Sequence, residues 1–337
     1  MVQRHHNNFD FLRFVFALLV IVTHSFALLG IAGQEWLLVF TNGQLSFSDI
    51  GLAGFFVISG YFIYKSLSRS SSIWVYLKKR LLRLFPALFV VLLLTVLTIP
   101  ILYNGSVPLG DNLSYWTYLP NNLSLYGFQG TVDGVFANLP YHSINGSLWT
   151  IRYEFSLYLL VMVFFFIRKD PIKIISIAVL MFLIWMAFFN FGLDRFGGSK
   201  LFGLQGFPLF NLGGFFMMGV LLAVLDFKDW NNKWILGLGV ILLGVSLYFN
   251  FYSIVKHVVF PIVILGIGFT AIKGVSSFGK YGDPSYGIYI YAFPIQQILV
   301  FYFKLDLVEF IILSTFLSII IGYLSWHLVE KRALRYK

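Results

Sequence analysis

No cysteine occurs in the 337 residues, so neither a disulfide framework nor thiolate chemistry is open to this chain. Charge is also scarce. Only 11% of residues are charged against 59% hydrophobic, and mean hydropathy is +0.84, a balance that excludes a water-soluble domain of this length. The sequence reads as one transmembrane domain, 1–337, with no soluble domain, no internal repeat and no low-complexity linker beyond Ser66–Ser72. The first apolar stretch lacks a cleavage pattern and reads as a retained span.

Polar and Gly/Pro-rich breaks leave apolar runs near 9–32, 49–67, 84–103, 148–167, 172–191, 208–225, 234–250, 255–272, 285–303 and 307–328. Most approach the twenty or so residues a spanning helix needs, predicting an all-α polytopic protein of about ten transmembrane helices. The narrowest separations are Phe251–Ile254 and Lys304–Asp306. With both termini cytoplasmic, the inner segments hold 18 of the 24 Lys and Arg, from Arg4 to Lys337, and the outer ones only Arg195, Lys200, Lys256 and Lys304. The net charge of +10 is thus scattered over cytoplasmic turns, which fits acidic membrane lipids and excludes nucleic acid as partner. The one long outward connection, 104–147, carries Asp111 and Asp133 but no Lys or Arg, and its length suits a lid or an acceptor-binding surface.

The first span carries two groups that hydrocarbon should reject. Arg13 and His24, eleven positions apart, share a helical face and lie roughly 16 Å apart along the axis. Ionisable groups inside a span normally face a polar cavity or a partner. The bland alternatives are a snorkelling arginine and a neutral interhelical hydrogen bond from the histidine. Glu154, about two turns into a span that runs inward from outside, is expected at the depth of His24. There it would orient one ring nitrogen while the other takes a proton from an incoming hydroxyl.

Arg80 and Arg83, at i and i+3 on the cytoplasmic side, could grip a phosphate bidentately, with Arg13 converging from its own span. By themselves they also fit a juxtamembrane cluster on acidic headgroups. Phe55-Phe-Val-Ile-Ser59-Gly60-Tyr61 supplies a small-residue notch for close helix packing. His5, His6, His142, His257 and His327 lack metal-ligand spacings, apart from His327 and Glu330 at i and i+3 near the inner surface, so no metal is expected.

These pieces together resemble the acyltransferase-3 family of integral membrane O-acyltransferases. The resemblance rests on Arg13 and His24 with ten residues between, Gly54-Phe-Phe-Val-Ile-Ser-Gly-Tyr61, Lys79-Arg80-Leu-Leu-Arg83-Leu-Phe-Pro86, Ser147-Leu-Trp-Thr-Ile-Arg-Tyr-Glu154-Phe and Ser285-Tyr-Gly-Ile-Tyr-Ile-Tyr-Ala-Phe-Pro294. It implies a stand-alone membrane domain, in a bacterial cytoplasmic membrane, that moves an acyl group, usually acetyl, from cytoplasmic acetyl-CoA to a hydroxyl of a surface glycan or lipid-linked sugar. No permanently bound cofactor is implied. His24 and Glu154 would be catalytic, and Arg13, Arg80 and Arg83 would meet the phosphates of CoA. Arg152, Ser59, Tyr61 and Trp149 stand as acceptor-site or packing positions. The chain departs from many relatives in lacking a fused extracytoplasmic hydrolase-like domain and in placing Arg152 before the carboxylate. The competing class is a transporter or flippase of a lipid-linked sugar or amphiphile, with Arg13 and Glu154 lining a path; an inverted repeat would mark it.

Overall fold

The computed structural model describes residues 7–337; Arg4, His5 and His6 lie outside the described residues. Ten helices follow the ten apolar runs: α1 Phe9–Leu28, α2 Phe47–Ser68, α3 Ile73–Leu102, α4 Ile151–Val161, α5 Pro171–Phe191, α6 Gly206–Val224, α7 Lys233–Tyr248, α8 Tyr252–Phe269, α9 Ser285–Tyr302 and α10 Leu307–Ser325. The segments built on α1–α6, α8 and α10 make eight that are long and apolar enough to cross a membrane. α7 is a shorter apolar helix, and α9 falls outside the eight because it carries Gln296, Gln297 and several tyrosines, buried within the bundle rather than turned to lipid. The chain is an all-α polytopic membrane protein; a two-stranded hairpin, Lys200–Leu201 with Leu204–Gln205, is the only sheet among the described residues.

Local chemistry sets the helix ends. Ser46 and Asp49 form a capping box at the start of α2, Asp306 and Glu309 another at α10, and Ser72 accepts from Val75 N at the head of α3. α2 is the hub. It packs along α1 and α6 because its glycines let backbones approach: a Cβ on Gly60 would run into the Phe216 carbonyl, and one on Gly219 of α6 into that of Val57. The notch expected at Ser59-Gly60 is therefore a helix crossing.

The 104–147 connection is folded. Helix Leu113–Leu123 lies within it, and the Gln129 side chain ties Ser114 O, Thr131 O, Thr117 and Asn121 together. Its last residues sink into the bundle: Asn145, 1% exposed, donates to Ile290 O on α9, and Gln297 donates back to Tyr141 O and Ser143 O. The chain then enters α4 through a 3₁₀ turn, Gly146–Thr150.

Candidate active site

One cavity of about 400 Å³ lies between α1, α2, α3, α4 and α9, toward the end of the bundle where α1 begins, here termed the proximal end. Arg13, Arg80 and Arg83 all line it, with Ser59, Glu154, Tyr158, Asp283 and Lys337. The sequence thus placed its three arginines around one space.

Their surroundings differ. Arg83 donates to Asp283 (2.7 Å) and to Glu330 (3.1 Å), and its guanidinium lies near the Tyr286 and Trp326 rings. Arg13 pairs with Asp10 at 2.8 Å and sits 3.7 Å from Asp283. Arg80 has no carboxylate partner among the described residues: it donates to Ser66 Oγ, lies over the Tyr76 and Tyr158 rings, and its buried Nε is unbonded. Burial pushes the Asp283 carboxyl up, but the Arg83 and Arg13 guanidiniums and hydrogen bonds from Ser285 outweigh it and hold it below the usual carboxylate range. Burial and the like charges of Arg80, Arg83 and Lys79 push the Lys337 ammonium down to about 8.

Glu154 accepts through Oε1 from Tyr158 OH, one turn along α4, and from Ser59 Oγ on α2 at 3.1 Å. Farther along the cavity, Thr150 Oγ1 lies 2.6 Å from Tyr289 OH, which donates to Ser147 O. Phe55, Leu52 and Ile151 supply apolar wall between these polar stations.

His24 is elsewhere. Its ring meets Phe293 of α9 edge-on, 4.9 Å between centroids, and its buried Nδ1 carries no hydrogen bond. Three other unbonded buried atoms occur on the segments meeting there: Gln296 Oε1, Gln297 Oε1 and Ser147 Oγ. Gln296 donates to Ile21 O and Ser25 Oγ, the turn of α1 that carries His24.

Among the described residues no hydrogen bond or ion pair joins His24 to Glu154, and the matched depth expected from the sequence is not observed. Thr23 takes a hydrogen bond from Ser48 N, whereas Glu154 bonds Ser59 of the same helix, eleven residues and roughly 16 Å farther along. The reason is the sunken Asn145: α4 starts inside the bundle rather than at its surface, and the 3₁₀ turn rises faster than an α-helix, so Glu154 is carried to the level of Arg13. Arg152 lies over Phe128 and Tyr153 with no ion pair to Glu154, Trp149 meets Tyr153 edge-on, and Tyr61 is buried against Phe62 and Phe269. None of these three lines the cavity, whereas Ser59 does.

Asp283, Trp326, Tyr158 and Lys337 were given no site role by the sequence, and Glu330 was read only beside His327 near the inner surface. Asp283 stands in Gly-Asp-Pro-Ser just ahead of a motif that was read, and a carboxylate near a span boundary was its available signal. Trp326 and Glu330 bound a π-helical turn at the end of α10 that no sequence period announces.

The acyltransferase domain designated acyltransferase-3 matches residues 6–327. The chain belongs to the acyltransferase-3 family. It is a multi-pass membrane O-acyltransferase, which decides between acyl transfer and transport. Among curated relatives, the acyltransferase-3 chain is similar to an O-acetyl transferase of Shigella phage Sf6, 30% identical over 335 residues, covering 97% of this chain and 96% of that one. It is also similar to nodulation protein 10 of Rhizobium leguminosarum bv. viciae, 32% identical over 176 residues, 46% of this chain and 43% of that one. No solved structure matches.

Proposed function

We propose that this protein transfers an acetyl group from cytoplasmic acetyl-CoA to a hydroxyl of a cell-surface or lipid-linked sugar, working in a bacterial cytoplasmic membrane with both termini inside. The observation that carries the reading is the convergence of Arg13, Arg80 and Arg83 on one cavity at the proximal end, the arrangement a polyphosphate donor requires. The basic bias of the segments at that end supports placing it in the cytoplasm.

His24, on the same face of α1 as Arg13 and roughly 16 Å along it, is the proton acceptor for the sugar hydroxyl. The hydroxyl oxygen attacks the thioester carbonyl, the C–S bond breaks, and the proton resides on His24 until the CoA thiolate takes it up. No covalent enzyme intermediate is required. The unbonded Gln296, Gln297 and Ser147 oxygens supply hydrogen-bonding capacity around that step. The similarity to an O-acetyl transferase supports acetyl as the group moved.

Protein in lipid nanodiscs with radiolabelled acetyl-CoA and surface-glycan extract tests this. Wild type is expected to release CoA and label glycan, and His24→Ala to bind CoA normally while losing transfer. Wild type that binds no CoA, or His24→Ala that transfers at the wild-type rate, refutes it.

A further inference from the structure

We propose that Glu154, with Ser59 and Tyr158, is a binding station for the amide-bearing arm of the acyl donor, holding the arm on its way from Arg80 toward His24 rather than serving as the histidine's partner. This rests on the donor assignment made above. Three observations carry it.

Position is the first. Glu154 lines the cavity that the arginines line, and Ser59 places it roughly 16 Å short of His24. The arm between the phosphates and the sulfur of CoA contains two amides and is about as long as four to five extended residues, roughly 15 Å. A donor with its phosphates at Arg80 and its thioester directed toward His24 therefore runs past Glu154.

Hydrogen-bonding capacity is the second. A carboxylate only accepts, and it has about four lone-pair sites. Both protein hydroxyls go to Oε1, and among the described residues none goes to Oε2, which remains available to an amide N–H. The third is the alternation of the wall. Beyond Glu154 come Phe55 and Ile151 and then the Thr150–Tyr289 hydroxyl pair, so polar and apolar stations succeed one another as amides and methylenes do in the arm. A buried amide left without a partner is penalised, so a site for this arm needs such stations.

The test is a truncated-donor series of acetyl-CoA, S-acetylpantetheine and ethyl thioacetate, the last with no amide, run on wild type, Glu154→Gln and Glu154→Ala. Glu154→Ala is expected to raise KM about tenfold for the two amide-bearing donors, to leave ethyl thioacetate turnover near the wild-type rate, and to leave the pH profile of kcat unmoved. Glu154→Gln, whose carbonyl still accepts, recovers part of the loss. An equal loss on all three donors would mean that Glu154 only supports the fold. A fall in kcat with a shifted pH profile on every donor would make it the histidine's partner, and an acetyl group trapped on Ser59 and found by peptide mass spectrometry would make it a general base. Each result overturns the proposal. Wild type that turns over none of the three donors sinks the donor assignment itself, and the station with it.

Discussion

Asp283 bridges two helices by accepting from Arg83 at 2.7 Å while lying 3.7 Å from Arg13. The first contact fixes Arg83 in place, since Glu330 holds the other side of the same guanidinium. Removing one member of a buried pair strands the other charge, at about 3–5 kcal/mol. Asp283→Ala is therefore expected to lower the thermal midpoint in detergent clearly, and Asp283→Asn, which keeps an acceptor, by less. The stabilisation from Asp283 is present above its unfolded carboxyl pKa and fades as pH falls through its lower folded value. Midpoints followed down to acid pH should converge between wild type and Asp283→Asn.

Arg80 carries the opposite expectation. With no carboxylate partner among the described residues, its charge is, of the three arginines, the one most available to a phosphate. Arg80→Ala should weaken acetyl-CoA binding by about tenfold or more, as a lost charge-assisted hydrogen bond does, while S-acetylpantetheine is used as before. Arg83→Ala should weaken donor binding too, but with a lowered thermal midpoint. Isothermal titration beside thermal melts separates the two effects.

Lys337 sets a pH dependence. Its ammonium pKa of about 8 means that the positive charge facing the cavity is lost as pH rises through that value. Affinity for the anionic donor should fall between about pH 7 and pH 9, and Lys337→Arg, charged throughout, should flatten the curve. Parallel curves for wild type and variant would show that Lys337 takes no part.

Gly60 tests the fold at its tightest crossing. Any Cβ there meets the Phe216 carbonyl, and backbone cannot yield as a flexible side chain would. Gly60→Ala should destabilise by about 1–3 kcal/mol through overpacking. Gly237, with nothing near its Cβ direction, should accept alanine without loss. Comparing the thermal midpoints of the two variants checks this.

Hydropathy located the ten helices α1–α10, eight of them in segments long and apolar enough to cross a membrane, because nearly every apolar run is bounded by charge, Gly or Pro; the break Phe251–Ile254 has none of these. Arg13, Arg80 and Arg83 were legible for a related reason: a cation in or beside a span needs an explanation, and the shared cavity supplies one. The Glu154 depth was misread, since counting residues inward from the membrane surface assumes that a helix starts there. Asn145 and Gln297 tie that start to α9 instead, through contacts between residues some 145 positions apart in sequence. Asp283 was missed, and Glu330 read only beside His327, for the same reason, as their meaning lies in Arg83, 200 and 247 positions away.

The π-helical turn Trp326–Glu330 amounts to one residue more than a regular helix would hold. That surplus turns everything after it by about 100° relative to α10, and so aims the Glu330 carboxylate at Arg83 while Trp326 covers the same guanidinium. Taking a single residue out of this turn would leave composition and hydropathy almost untouched, yet would swing Glu330 toward lipid and strip Arg83 of one of its two counter-charges. In this chain the reading frame of one helix is a component of the cavity, and length variation among homologues should be tolerated at the tip of the 104–147 connection far more readily than here.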